Sequence, residues 1–467
     1  MQPATVAAPS GSEPITSLLA GAMSAIRFED LPGEIVLVAR QCLLDWLGVT
    51  LGGFTEPLTR ILRDEVLTEG GHPRATLIGS GERVSVAQAA LVNGAASHAL
   101  DFDDVHLGMS GHPSVPVIPG LLALAEERGA HGREFIAAFV AGFEMECRVG
   151  ALVMPGHYQA GWHATGTLGT FGSAAACAHL MRLDADQWRN ALGIAGAQAA
   201  GLKSMFGTMC KPFHAGKAAA NGLLAASLAA RGFTSNPDVL ETAQGFAATQ
   251  TTTPSPARAL RGLGEEYAIR GALFKYHAAC YGTHETIEGV LRLREEHALD
   301  PADVEAVELL VPPGHLAMCN IQEPATALEG KFSLRFTAAL ALAGRGTSEA
   351  AFSDEAVHDP GLTALRDRVR VRPRTEDSGP AIGGGTDVTV RLRGGQELRK
   401  RVNLDVPAND LDQQWRRLVV KFRALAEPAI GPEGAAALLA AVEDLENAPS
   451  MAALPRLATT SGARSRT

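Results

Sequence analysis

The stretch His98–Val117 reads HALDFDDVHLGMSGHPSVPV. Three aspartates (Asp101, Asp103, Asp104) and three histidines (His98, His106, His112) stand in it beside Leu100, Phe102, Val105 and Leu107. A solvated loop would be richer in Ser, Asn and Lys, and a core helix would not carry this much charge. Ionisable groups set among apolar ones are costly unless they are paired or put to use. The bland reading is a helix end with caps and a loop. Ser85 can cap a helix running through Ala89, Leu91 and Val92 toward Ala99, so the aspartates fall where that helix stops. Pro113 and Pro116 then lead into another helix over Gly120–Gly129.

The same helix-and-joint pattern extends both ways. Gly33–Leu51 places Ile35, Val38, Cys42 and Trp46 on one face and ends at Gly52–Gly53. Arg133–Ala151, His163–Met181 and Asp184–Leu202 follow in the same style. Lys211–Pro212 opens a further helix, since proline suits the first helical position, and Gly232 stops it. This density of helices with short joints predicts an antiparallel helical domain.

The character changes at Gln250–Ala257, QTTTPSPA, which reads as a linker. Beyond it Val304–Pro312 and Arg368–Arg372 alternate as strands do. Val388–Arg393 and Glu397–Val402 flank Gly394–Gly395 as a hairpin. Phe332–Ala343 and Asp354–Asp367 read as helices between them. The expected organisation is mainly α. A large all-helical domain spans 14–269, completed by helices within 408–456, and a smaller α/β domain spans 270–407. Residues 1–13 and 457–467 read as loose tails.

Composition narrows the function classes. The chain has 467 residues, 46% of them apolar, 5% aromatic, and a net charge of −10. A large core is available, with small residues at the helix contacts. The negative balance argues against a phosphate-tracking surface and leaves room for a local cationic pocket. No nucleic-acid partner is expected. No run reaches the length of a membrane span, and no basic-then-apolar leader pattern opens the sequence. The six cysteines are scattered without a CxxC, which fits a reducing cytosol better than a disulfide framework.

Four further segments carry polar groups in apolar settings. Gly156–Gly169 (GHYQAGWHATGTLG) offers Tyr158 and His163 near a helix start, where free N–H groups suit a carboxylate. Gly207–Ala215 (GTMCKPFHA) sets Lys211 and His214 among Met205, Phe206, Met209 and Phe213; such a lysine can bind an anion or act as a base. Phe274–His284 (FKYHAACYGTH) holds His277, Cys280 and His284 just beyond the linker, where pockets are frequent. Gly330–Phe336 (GKFSLRF) adds Lys331 and Arg335. The Asp101, Asp103, Asp104, His106 and His112 set also matches a hard-metal site for Mg²⁺, Mn²⁺ or Fe²⁺ in a hydrolase, although no HExxH or EF-hand loop accompanies it. GxGxxG after a strand, GxxxxGK[ST] and GxSxG are absent.

Together DFDDVH…GHPS (Asp101–Ser114), GHYQAGWHATGTLGTFG (Gly156–Gly172), FGTMCKPFHAGKAAANG (Phe206–Gly222) and KYHAACYGTH (Lys275–His284) resemble the MmgE/PrpD family. LLDWLGVTLGG (Leu43–Gly53) and GKFSLRF add to the resemblance. It implies a helical domain with a smaller α/β lid, a homodimer, and an active site in a positively charged cleft between the domains. It implies no metal and no organic cofactor. The family includes 2-methylcitrate dehydratase, cis-aconitate decarboxylase and iminodisuccinate epimerase, so the expected substrate is a small di- or tricarboxylate. Carried over by motif, the catalytic positions are Asp101, His112, Tyr158, His163 and Lys211. His106, His214, Cys280, His284 and Lys331 are expected to bind substrate. Val105, Cys280 and Phe336 stand where the animal decarboxylase has Thr, His and Tyr. These losses of polar groups point toward proton abstraction, as in a dehydratase or epimerase, rather than loss of CO₂.

Overall fold

In the computed structural model, which describes residues 14–374 and 384–460, the chain is mainly α with a smaller α/β part. Residues 1–13 and 461–467, read above as tails, lie outside the described residues. Two compact units form. One holds the described residues up to Phe274 and from Asn409 onward; the other is Lys275–Ala408.

The first unit runs α1 (Ile15–Ser24), α2 (Gly33–Gly53), α3 (Pro57–Glu69), β1 (Ala75–Thr76), β2 (Arg83–Val84), α4 (Val86–His98), α5 (Ser114–Arg128), α6 (Gly132–Val153), α7 (Gly156–Gln159), α8 (Ala164–Leu180), α9 (Ala185–Gly196) and α10 (Cys210–Ala229). α4, α5, α8 and α10 pack side by side, α6 lies against α8, and the C-terminal helix Leu411–Glu443 lies along α2. Small residues let these axes approach. A Cβ on Gly216 of α10 would stand 2.1 Å from Leu91 O of α4, and one on Gly222 would stand 2.5 Å from Ala174 N of α8. Trp46, Phe139, Phe143 and Phe171 are wholly enclosed.

Several boundaries differ from the sequence reading. α5 begins at Ser114 rather than Gly120 and carries Pro116 in its first turn, where the helix has no use for its N–H. α9 stops at Gly196, six residues short of Leu202. α10 begins at Cys210, one residue before the expected start, so Lys211 lies in its first turn. Gln250–Ala257 is not a free linker. Ser255 N bonds Leu152 O at 2.8 Å, and the buried Arg148 donates to the carbonyls of Ala259, Arg261, Gly262 and Glu266. A guanidinium with that many carbonyl acceptors ties the residues that follow the segment to α6. The chain end is held too: Gly79 N donates to Ala458 O at 2.8 Å and Thr459 is buried, so 457–460 are not loose. Two helices, Gly33–Gly53 and Leu411–Glu443, are long and apolar enough to cross a membrane, contrary to the reading above; 83% of the first one's apolar window is buried within the fold.

The second unit holds a sheet of four strands, β3 (Val304–Val311), β4 (Val369–Pro373), β5 (Thr386–Leu392) and β6 (Glu397–Val402), in the order β4-β3-β5-β6. β3 and β4 are parallel, which demands a long crossover, and the helices between them supply it. The β5–β6 hairpin closes as expected through Gly395 at φ 85°. The helix read over Asp354–Asp367 is two short ones, Asp354–Val357 and Pro360–Arg366, because Pro360 starts a new turn.

One buried ion pair joins distant parts of the first unit to the aspartate-rich joint. Lys421, on the Leu411–Glu443 helix, has Nζ 2.5 Å from Asp45 Oδ1 of α2 and donates to Phe102 O at 2.6 Å. The same ammonium lies 4.0 Å from the Phe102 ring centroid. Removing one partner of such a pair strands the other charge in the core. Lys421→Ala is therefore expected to cost about 3–5 kcal/mol by urea denaturation. The double variant Asp45→Leu/Lys421→Met is expected to regain most of that loss, and equal losses in both would contradict this account.

Candidate active site

The chain turns sharply after α4, whose last residue is His98. Asp101 takes a left-handed conformation, φ 51°, which a short polar side chain tolerates better than a bulky one. Val105 N and O then bond the backbone of Leu273, and His106 pairs with Gly111 across a tight loop. Asp104 closes that loop: its Oδ2 accepts from Ser114 Oγ at 2.5 Å and its Oδ1 from Ser114 N at 3.2 Å. The residues next to this clasp, Asp103 and His112, are thereby set face to face.

Asp103 is the centre of the cluster. Its Oδ1 lies 2.9 Å from His98 Nδ1 and its Oδ2 lies 2.7 Å from His112 Nδ1. His112 Nε2 is 3.7 Å from Asp101 Oδ1, and that same oxygen is 2.8 Å from Lys211 Nζ at the start of α10. His163, the residue before α8, stacks on His98 with centroids 6.0 Å apart and meets the edge of Phe206 at 5.0 Å. Its Nδ1 is 3.0 Å from Nδ1 of His214, one turn along α10 from Lys211. Of the sequence-predicted site residues, the structure brings Asp101, His112, His163, Lys211 and His214 together. His98 and Asp103 belong with them; the sequence reading weighed Asp103 only as a metal ligand and gave His98 no role. Their signal was the interruption of an apolar helix end by a histidine, followed by an acid flanked by Phe102.

Burial and charge set the protonation states. Burial lowers His98 to a pKa of about 4, against the pull of Asp103. With Nδ1–H turned to the carboxylate, neutral His98 keeps a bare Nε2, which has no hydrogen-bond partner among the described residues. Burial also opposes ionisation of Asp103, yet the imidazoles of His112 and His98 outweigh it and hold the carboxyl well below its usual range. His163 is pushed well down by burial and then by His98, Lys211 and His112. Burial, aided by Asp45, raises Asp104 to about 7, in keeping with a clasp rather than a charge.

His98, Asp101, Asp103 and His112 each offer one ligand atom within 4.8 Å of the others, a spacing a metal ion could use. The donors are already committed, however. Asp103 spends an oxygen on each imidazole, and Asp101 faces an ammonium that would repel a cation. The set fits an anion beside Lys211 better than a divalent ion among its own partners.

The remaining candidates sit elsewhere. Tyr158 lies under Lys203, whose Nζ is 3.7 Å from the ring centroid and donates to Tyr158 O at 3.2 Å. Burial lowers this lysine, which the sequence reading missed. Its position follows from a short ribbon: Lys203 N bonds Gly161 O, and His163 N bonds Gly201 O. His106 is a structural group, donating Nε2–H to Ala268 O at 3.2 Å with its ring edge-on to Phe143. Cys280, His284 and Lys331 all belong to the second unit. Cys280 N bonds Lys331 O, the Lys331 ammonium pairs with Glu349, and buried His284 donates to Ala279 O at 3.1 Å.

Comparison with known proteins bears on the whole chain. The MmgE/PrpD N-terminal domain matches residues 17–259 and the MmgE/PrpD C-terminal domain matches residues 277–447. Cis-aconitate decarboxylase of Mus musculus is 27% identical, over 95% of this chain and 93% of its own length. The Homo sapiens enzyme is also 27% identical, over 95% and 94%. Cis-aconitate decarboxylase of Aspergillus terreus strain NIH 2624 is 25% identical, over 86% and 87%.

The titrations carry a sign that can be tested. His98 is depressed in the folded chain, so the unfolded chain takes its proton first as pH falls. Its contribution to stability is full above the ordinary histidine range and is lost as pH falls from there toward 4. Asp104, raised to about 7, works in the opposite direction between its unfolded and folded values. Ring NMR signals of His98 are expected to stay those of a neutral imidazole from pH ~8 down to ~5. Protonation of His98 near pH ~6.5 would contradict the burial described here.

Proposed function

This chain belongs to the MmgE/PrpD family, and on that footing we propose that it is a lyase or isomerase that forms and quenches a carbanion next to a carboxylate of a small di- or tricarboxylate. The observation that carries this reading is the meeting of Lys211 with Asp101 beside neutral, buried imidazoles. Such a carbanion delocalises onto carboxylate oxygens, and fixed cations and N–H donors aimed there lower its energy. Lys211 and His112 supply them. Asp101 positions Lys211, and Asp103 holds the tautomers of His98 and His112.

The substrate also tunes its own base. His163 is held down by burial and by neighbouring positive charge. A polyanion entering that field cancels the positive charge and raises the imidazole toward neutrality, where it can accept a proton from carbon. In a dehydratase His112 then protonates the departing hydroxyl. In an epimerase the carbanion is reprotonated on its opposite face. Proton abstraction comes first because Val105 and Phe336 are buried and apolar where the resemblance would have polar groups for decarboxylation. A second reading, decarboxylation of cis-aconitate, is favoured by relatives of that activity aligned over 95% of the chain; it passes through the same enolate-like charge.

Proton NMR in D₂O on chelator-treated enzyme tests this. The substrates are citrate, 2-methylcitrate, cis-aconitate, malate, tartrate and iminodisuccinate. Loss of a C–H signal without a new product identifies an epimerase. A new vinyl signal identifies dehydration if carbon is conserved, and decarboxylation if CO₂ is released. Turnover is expected to fall about a hundredfold, or about 2.7 kcal/mol, in Lys211→Ala and in His163→Ala, with the fold retained. Activity that appears only on adding a divalent metal would move the reading to a metal-dependent hydrolase.

A further inference from the structure

The reading above gives His163 a proton to move but leaves it almost sealed, 2% exposed. A proton taken from carbon by a buried group must go somewhere before the next turnover. The one ring atom of His163 with a hydrogen-bond partner among the described residues is Nδ1, and that partner is Nδ1 of His214 at 3.0 Å. His214 is half-buried and sits on α10 three residues beyond Lys211, so its ring reaches from the buried imidazole toward solvent. The approach is close by construction: a Cβ on Gly166, at the start of α8, would stand 3.1 Å from His214 Cβ.

Two nitrogens in hydrogen-bond contact require that one donate and the other accept. With both rings neutral and His163 donating, His163 presents a bare Nε2 and His214 carries its proton on Nε2. We propose that His214 is the solvent end of a two-imidazole proton relay through His163. The step balances. The substrate C–H breaks as His163 Nε2–H forms, His163 Nδ1–H passes to His214 Nδ1, and His214 Nε2–H leaves to water. Reversal delivers a proton from water to the carbanion. Lys211 assists by disfavouring a lasting positive charge on either ring: both histidines are lowered, first by burial, with Lys211 adding to it. No carboxylate is paired with His214 among the described residues, so no acid traps the proton there.

This rests on the proposed proton abstraction, so the test has one arm that does not. ¹⁵N NMR of the His163 ring needs no substrate. In the wild type it is expected to show one protonated and one bare nitrogen, locked by His214. In His214→Phe the two signals are expected to move toward each other as the tautomers average. In His214→Asn, whose side-chain oxygen can still accept from Nδ1–H, they are expected to stay locked. The second arm is turnover in D₂O on whichever substrate reacts. His214→Phe and His214→Asn are both expected to lose roughly tenfold in solvent deuterium incorporated per turnover and in kcat, with KM little changed. Asn holds the tautomer but cannot pass a proton. Full exchange and kcat in His214→Asn would overturn the relay and leave His214 as a hydrogen-bond partner only. Unchanged ¹⁵N signals in His214→Phe would overturn the pairing itself. Locked wild-type signals with no turnover of any substrate would instead count against the proposed function.

Discussion

A single buried carboxylate shared by two imidazoles organises this active-site candidate. Asp103 is 1% exposed and is approached by His98 through one oxygen and His112 through the other. A carboxylate that deep would ordinarily be driven to its neutral form. Here the flanking rings keep it charged, and in return its hydrogen bond with Nδ1 fixes the tautomer of His98. The orientation of His112 toward Asp101, and through Asp101 the place of the Lys211 ammonium, go with that arrangement.

The surrounding fold exists in part to hold this arrangement at a helix joint. The Asp104–Ser114 clasp sets the two ends of the loop, and Lys421 reaches in from the far end of the chain to grip Phe102 O and Asp45. Tight helix crossings at glycine bring α8 and α10 together, so that His163 and His214 can touch. The polar cluster is therefore supported by backbone contacts on one side and by buried charge pairing on the other. Both are rigid compared with a surface loop, and rigidity is what electrostatic preorganisation requires.

Much of this was legible in the chain. The capping residue Ser85 announced its helix, Gly394–Gly395 announced the hairpin, and the mixture of acids and histidines after α4 marked out a candidate site. Errors arose where a local signal had two physical outcomes. Pro116 looked like a lead-in to a helix and proved to be inside one, because a first-turn proline loses nothing. QTTTPSPA looked like a linker and is tied down by Ser255 N, which bonds Leu152 O at the end of α6, about a hundred residues away. Lys203 and Lys421 were missed because nothing in their local sequence sets them apart; only tertiary contacts reveal Tyr158 under the first and Asp45 against the second. His106 was counted as a ligand for the substrate, but its ring holds a backbone carbonyl, the commoner fate of a buried histidine.

The central claim is that an anionic substrate binds at Lys211 and raises the neutral imidazoles around it. Isothermal titration calorimetry with propane-1,2,3-tricarboxylate measures this most directly, since that molecule has the carboxylates without a hydroxyl or double bond to react. Titrations in two buffers of different ionisation enthalpy give the protons taken up on binding. The account predicts binding with net proton uptake near neutral pH, and loss of both in Lys211→Ala. Binding with no proton uptake, or uptake that persists undiminished without Lys211, would contradict it.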